Sequence, residues 1–360
     1  MGEAITVGVV FGGRSVEHRV SVRSARTVVG ALEQAGYRVV PLGLALDGCW
    51  VDRETSERAI AGAIDTVPAV GDPIPPSLCH LLDSSVDLTF PLVHGTWGED
   101  GTMQGLFEML DLPYVGAGVA ASAIAMDKVQ CKRVLEAVDV RTVESAVVSR
   151  GEWQGDEASC QARLEAVGAP PLFVKPAIGG SSVGVQRLAA AGELAAAIEF
   201  AFRFDERILV ERGIIGRELE CGVLGYEDLQ ASAVGEIVPG NDFYDYADKY
   251  LQEGARLELP AALDEGLADG IRSMAVRAFA AIGGVGLARV DFLLEDTGEL
   301  YVNEINTLPG FTSISMYPKL WELSGVPLPK LVTRLVEIAQ RRHADRRRLN
   351  DGIRDWIRDL

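Results

Sequence analysis

The stretch Lys175-Pro176-Ala177-Ile178-Gly179-Gly180-Ser181-Ser182-Val183-Gly184 carries the residue types that hold phosphate. Glycines let a backbone approach closely and turn its N–H groups outward. The hydroxyls of Ser181 and Ser182 add donors, and Lys175 brings a point charge. The spacing is neither that of a Walker A loop nor that of a dinucleotide fingerprint. On residue types alone, an ordinary turn accounts for this loop as well as a phosphate cradle does. A second set is Arg289-Val290-Asp291 with Glu304-Ile305-Asn306. Residues i and i+2 of a strand share a face, so each pair presents both members to one side. Two carboxylates and an amide oxygen make a hard-oxygen set that suits magnesium, which binds through one or two carboxylates plus substrate phosphate. The plain alternative is a solvated strand face, but Leu293, Leu294, Tyr301 and Val302 leave both strands otherwise apolar.

Two further sets stand out. Glu211 ends the apolar run Ile208-Leu209-Val210, and Glu218 follows a short turn containing Gly213 and Gly216. Such carboxylates accept from ribose hydroxyls, and equally well from Arg212 or Arg217 in salt bridges. The run from His94 through Glu99, Asp100 and Gly105 lies between a strand and a helix, where α/β proteins bind ligands. Capping of the helix would explain its acids, but not His94 or the glycines.

These groups need elements to position them. Ile5 to Phe11 is a β-branched apolar run ending in Gly12-Gly13. Val20 to Ala35 has helical spacing, and Tyr37 to Leu42 is apolar again. That order predicts a parallel βαβ unit, continued by a strand over 87–93 and a helix from about Gly101. A first α/β domain over 1–118 is therefore expected. A central α+β domain over 119–222 holds a helix at 119–139, the strand Leu172 to Lys175, the Gly-rich loop and a strand to Glu211. A third domain over 223–360 holds an Ala-rich helix (about 263–282) and the strands 286–294 and 300–306. In the tail, Leu349, Ile353, Trp356, Ile357 and Leu360 recur at helical spacing beyond a basic patch. A docked terminal helix is the expected reading there, with an oligomer contact as the alternative.

Bulk properties exclude several classes. A chain of 360 residues is too long for one compact core. No apolar run approaches the ~18–20 residues that span a bilayer, and the N-terminus has no signal-peptide pattern. A formal net charge of −18 argues against general nucleic-acid binding. The five cysteines form no C-x-x-C pair, and the four histidines show no metal spacing, so reduced thiols in a cytoplasmic protein are expected.

Read in order, the segments resemble the D-alanine-D-alanine ligases of the ATP-grasp superfamily. The resemblance runs from about Thr6 to Gln340. It is carried by Phe11 through His18, His94 through Gly105, Met126-Asp127-Lys128, Lys175 through Gly184, Tyr244 through Tyr250, and Asn303 through Ser313. It implies an α/β, three-domain ATP-grasp fold with an N-terminal parallel sheet. It further implies an ATP-dependent ligation of two D-alanines for peptidoglycan precursor synthesis, through an acyl phosphate. Glu17 would hold the first ammonium, with His94 nearby. Lys128 and Lys175 would contact phosphates beneath Ser181 and Ser182, and Lys249 would reach the γ-phosphate. Glu211 and Glu218 would take the adenosine, with backbone from Arg212 to Ile214 at the adenine. Asp291, Glu304 and Asn306 would hold two Mg2+ (or Mn2+) ions. Arg289 and the Gly310 N–H would form an oxyanion hole, and Tyr250, Ser315 and Met316 would line the second amino-acid pocket. Pro239 to Gly254 would be a closing loop, and the enzyme would be a cytoplasmic homodimer with no nucleic-acid or membrane partner. Ile178 departs from the charged or polar residue common at its position. Rival readings are a related ligase using D-serine, D-lactate or another amino acid, and an inactive nucleotide-binding regulator. Tyr250 speaks against the lactate type and the intact charged set against the regulator.

Overall fold

The computed structural model describes residues 4–69, 86–238 and 256–358. Lys249, Tyr250, Cys79, His80 and the loop expected from Pro239 lie outside the described residues. The first unit is built from β1 (Thr6–Gly12), α1 (His18–Gln34), β2 (Arg38–Leu44), α2 (Arg53–Ile60), β3 (Leu88–Pro91) and α3 (Thr102–Met109). Its strands pair in parallel in the order β2-β1-β3. The predicted strand, Gly turn, helix, strand order is therefore present. Every residue of β1 is buried, as a parallel strand covered on both faces requires.

Residues 119–139, expected as one helix, form two: α4 (Val119–Met126) and α5 (Lys128–Glu136). Asp127 adopts an extended conformation between them, and its Oδ1 accepts the N–H groups of Val129 and Gln130. A short carboxylate that caps backbone donors competes with helix continuation, so the aspartate starts a new helix.

The central body comprises β4 (Ser145–Ser149), α6 (Arg150–Gly155), α7 (Glu157–Glu165), β5 (Leu172–Pro176), β6 (Gln186–Leu188), α8 (Leu194–Ala201) and β7 (Arg207–Arg212). Its sheet has the order β4-β7-β5-β6 and its own core, with Val148, Val174, Ile208 and Val210 against Trp153, Leu194 and Ile198. The last body holds β8 (Gly216–Gly225), β9 (Gln230–Val238), β10 (Arg256–Glu258), α9 (Glu265–Ala281), β11 (Gly286–Glu295), β12 (Leu300–Asn306), α10 (Met316–Leu323) and α11 (Leu328–Arg358). Its antiparallel sheet has the order β10-β9-β8-β11-β12.

The structure redraws the expected boundaries. A division at 222/223 cuts through β8. Ala121, Ala125, Cys131 and Leu135 of α4 and α5 share a core with Leu219, Val290 and Phe292, so those helices cover the third sheet rather than the second. Leu331, Val332, Leu335 and Val336 of α11 pack with Val22, Val28 and Leu32 of α1. An apolar stripe reveals a buried face but not the partner that buries it. The tail is also corrected. Arg342 donates to Gly116 O at 2.6 Å and Arg346 pairs with Glu108 at 2.8 Å, but beyond them the helix stands clear. Leu349, Ile353, Trp356 and Ile357 are 55–65% exposed and dock on nothing within the described residues.

Candidate active site

The third sheet has two unlike faces. Val290, Phe292 and Leu294 of β11 point to the core with Leu219, Cys221 and Val223 of β8. The alternate residues point the other way. Register places Asp291 opposite Glu304 on one side and Glu220 on the other; Arg289 lies opposite Asn306. The i, i+2 reading of both pairs therefore holds. One feature invisible in the pattern makes it work. Val302 and Glu304 are also i, i+2, yet Val302 is in the core. The pairing slips between Asp291 and Phe292, with Asn303 left over on β12, and this bulge turns Glu304 to the opposite face.

Helix α10 covers the rest of that face. Added Cβ atoms at Gly222 and Gly235 would lie 2.9 Å from Trp321 Nε1 and 2.6 Å from Met316 Cε, so glycine is what permits the close approach. Between the uncovered part of the sheet, the Gly-rich loop and the first unit lies a cavity of about 620 Å³. Glu17, His94, Lys128, Ser181, Glu218, Arg289, Asp291, Glu304, Asn306, Gly310, Ser315 and Met316 all line it. Lys175, Ser182, Glu211, Arg212 and Ile214 do not.

Arg289 is the hub of the sheet face. Its Nε and Nη2 each lie 2.7 Å from one oxygen of Asp291, and its Nε is 3.1 Å from Glu220. Burial disfavours the guanidinium charge, but the charges of Asp291 and Glu220 more than offset this and raise its pKa. Each Asp291 oxygen retains a second lone pair, so the carboxylate can accept from Arg289 and still ligate a cation. Among the described residues no cluster of three His, Cys, Asp or Glu has metal-holding geometry. The set here is two carboxylates facing each other across a strand pair, with the Asn306 amide beside them. Those donors fit a magnesium ion that takes its remaining ligands from phosphate and water.

Glu211 differs from expectation. Its carboxylate, only 4% exposed, is gripped by Lys132 at 2.7 Å and by Lys175. Burial alone would raise its pKa, but the two lysines hold it down at about 2. Its protein partners are thus the two lysines and not the neighbouring arginines. The Arg212 side chain turns away to Glu144, Glu295 and the Tyr301 hydroxyl, which leaves only its backbone for a base. Arg217 pairs with Glu236. Lys132 was not singled out in the sequence, although it lies one turn after Lys128 on the same face of α5.

Lys128 reaches the Gly-rich loop, with Nζ donating to Gly179 O at 2.6 Å. Burial lowers its pKa, opposed by the charge of Glu304. Ser181 and Ser182 both have left-handed backbones, with φ of 52° and 57°. Two consecutive non-glycine residues in that region are uncommon and carry a backbone cost.

On the first unit, His18 donates to Gly13 O at 2.7 Å and accepts from Val67 N at 2.9 Å, which pins the start of α1 and so places Glu17. Glu17 does not cap its helix with its side chain. Asp100, not Glu99, binds the N–H groups of Trp97 and Thr102. Glu99 instead lies 3.5 Å from His94 Nδ1. Burial would lower the His94 pKa, but its bond to Glu99 and the charges of Glu17 and Glu99 raise it. Glu99 itself is raised, by burial first and by Glu17, against the influence of His94.

The family model described as D-ala D-ala ligase N-terminus matches residues 6–117, and that described as D-ala D-ala ligase C-terminus matches residues 134–337. The chain is 44% identical to the D-alanine–D-alanine ligase of Halothermothrix orenii, covering 93% of this chain and 98% of that one. It is 43% identical to D-alanine–D-alanine ligase A of Escherichia coli K12, covering 95% and 97%. Among solved structures, the D-alanine-D-alanine ligase from Coxiella burnetii superposes with a TM-score of 0.80 at 34% identity, over 97% of this chain and 99% of that one. The VanG D-Ala:D-Ser ligase of Enterococcus faecalis does so with 0.78 at 32% identity, over 94% and 100%. With both family models matched in order over most of its length, and with an ATP-grasp architecture shared with those structures, the chain belongs to the D-alanine–D-alanine ligase family.

Proposed function

We propose that this protein joins two D-alanines with ATP to give D-alanyl-D-alanine for peptidoglycan precursors, by way of an acyl phosphate. The observation that carries this reading is a single cavity lined on one wall by Asp291, Glu304 and Arg289 and on the other by Glu17 and His94. One carboxylate set suits a cation that carries phosphate, and the other suits an amino-acid ammonium.

Asp291, Glu304 and Asn306 would hold the magnesium ions, which when bound neutralise charge on the transferring phosphoryl group. Lys128, Lys175 and Lys249 add positive charge at the phosphates, while Ser181 and Ser182 place donors over them. Glu218 takes the ribose, and the backbone from Arg212 to Ile214 meets the adenine. Glu211 serves the nucleotide indirectly, through Lys175. Glu17 holds the ammonium of the first D-alanine, and the carboxylate oxygen of that D-alanine attacks the γ-phosphorus as ADP departs. The amine of the second amino acid, bound beside Tyr250, Ser315 and Met316, then attacks the acyl carbon. A C–N bond forms, the carbonyl electrons collect on oxygen, and Arg289 with Gly310 N–H stabilises that oxyanion, at about 3–4 kcal/mol per donor. The C–O bond to phosphate breaks, and inorganic phosphate leaves with the proton that the attacking nitrogen gives up.

The reading includes a cytoplasmic homodimer. The cysteines among the described residues are all unpaired, as a reducing compartment favours, and no described helix is long and apolar enough to cross a membrane. The test is product identification after incubation with ATP, magnesium and a mixture of D-alanine, D-serine and D-lactate. D-Alanyl-D-alanine as the main product is expected. A mixed product ending in serine would move the assignment to the second-substrate alternative, and no ADP release would overturn the enzymatic reading.

A further inference from the structure

Ser24 is a fully buried polar residue to which the reaction above gives no task. It lies within α1 of the first unit, yet it is bonded to a loop of the third. Its Oγ accepts the backbone N–H of Phe311 at 3.1 Å and lies 3.2 Å from His94 Nε2. His94 Nδ1 donates to the carbonyl oxygen of Leu308 at 2.9 Å. A carbonyl only accepts, so Nδ1 carries a proton whether the ring is neutral or charged. In the neutral ring the Ser24 hydroxyl donates to Nε2; in the charged ring Nε2 donates to Oγ. Either way Oγ keeps a lone pair for Phe311.

The anchored residues bracket Pro309 and Gly310. Proline has no N–H, so Gly310 carries the one backbone donor between the two anchors. The Phe311 ring is held as well, edge-on to Phe90 at 5.9 Å and against Tyr317 at 5.7 Å. Gly310 lines the cavity and a Cβ on it would lie 2.8 Å from Ser315 Oγ, so the residue sits against the pocket proposed for the second amino acid. The loop is thus tied to the first unit on both sides of Gly310, a cavity-lining residue with a backbone N–H to offer.

We propose that Ser24 is a positioning residue which, with His94, aims the Gly310 N–H at the oxyanion of the ligation step. This rests on the reading that Gly310 and Arg289 form the oxyanion hole. It assigns His94 Nδ1 to the loop carbonyl of Leu308 and Nε2 to Ser24, rather than to the substrate. It also makes the oxyanion hole a joint product of two units, formed only when the first unit packs against the third.

The experiment compares ADP and dipeptide released by the wild type, Ser24→Ala and Arg289→Lys at saturating ATP and D-alanine. In Ser24→Ala a misaimed donor should lower dipeptide formation about tenfold, less than the ~10²–10³ lost when an oxyanion donor is removed outright. ADP release should fall less, because acyl phosphate still forms and is lost to water. The ratio of ADP to dipeptide then rises above one, while KM for ATP stays unchanged. A lower Tm with the ratio held at one would mean that Ser24 is only structural and would overturn the proposal. If Arg289→Lys raises the ratio and Ser24→Ala does not, the positioning role fails and the oxyanion reading stands. If neither raises it, the oxyanion reading fails and takes this proposal with it. Should Ser24→Ala not fold, Ser24→Cys keeps the volume with a weaker hydrogen-bonding group and is read in the same way.

Discussion

The second and third sheets each bury a cluster of charges on the face opposite their own core, but with opposite excess. On the second sheet one anion, Glu211, sits between two cations, Lys132 and Lys175. On the third, one cation, Arg289, sits between two anions, Asp291 and Glu220, with Glu304 across from Asp291. An isolated buried charge is costly, so each cluster is largely self-compensated. The residual sign decides what each still attracts. A surplus of positive charge suits phosphate, and a surplus of negative charge suits a divalent cation. Both chemistries of nucleotide binding can thus be built from the same few residue types by changing their ratio.

The largest break in this comparison should come from Glu304→Ala. It removes half of the carboxylate pair on the cation-attracting side, so kcat should fall about a thousandfold or more at saturating magnesium, several kcal/mol of lost stabilisation. Thermal melting should show Tm little changed. Excess chelator added to the wild type should abolish turnover, and activity that persists there would remove the metal role.

The lysines of the opposite cluster should separate. Lys175→Met should raise KM for ATP roughly ten- to a hundredfold, the worth of one charge-assisted bond. Lys132→Met should leave KM closer to the wild type but cost about 2–3 kcal/mol of stability, because it strips a partner from a buried carboxylate. Steady-state kinetics beside urea unfolding would read both. Equal KM effects would show that the two lysines are not distinct.

A pH series sharpens the same point. The pKa of Glu211 lies at about 2 in the folded protein against an ordinary 4.5. Its contribution is therefore complete above about pH 4.5 and is lost as pH falls toward 2. In Lys132→Met the folded-state value should rise, so this part of the acid loss in stability should shrink. Urea midpoints between pH 2.5 and 5 would measure it, and superimposable curves would count against the pairing.

The smallest effect is expected from Tyr250→Phe, at a position outside the described residues. The side chain keeps its volume and loses a hydroxyl. D-Alanyl-D-alanine formation should weaken and D-alanyl-D-lactate formation should gain, as resolved by separating dipeptide from depsipeptide. An unchanged ratio would shift attention to Ser315 and Met316.

Much of this was legible before any coordinates. The parallel βαβ start, the paired faces at 289/291 and 304/306, and the loop after Lys175 follow from periods of 2 and 3.6 and from glycine placement. These depend only on local backbone geometry, which a sequence carries directly. Other features had a visible trace that was too weak to read. Lys132 repeats the face of Lys128, and Ser24 lies two turns after Glu17 on α1. Serine and lysine at such positions are usually solvated, so spacing alone gave no reason to choose them.

The sequence by itself determined the order of the elements, the residue types available to the cleft and the family those types point to. Tertiary structure decided which of them meet. It gave Glu211 to two lysines instead of the neighbouring arginines, let Asp127 split one helix into two, and turned Glu304 from the core to the cleft through a single bulge. It also carried Ser24 and His94 to a loop 287 and 214 residues further along the chain. The reason is physical: periodicity is a property of the backbone near each residue, whereas the pairing of buried polar groups is enforced by desolvation. That cost is met only between groups that strand register and packing bring within hydrogen-bond distance.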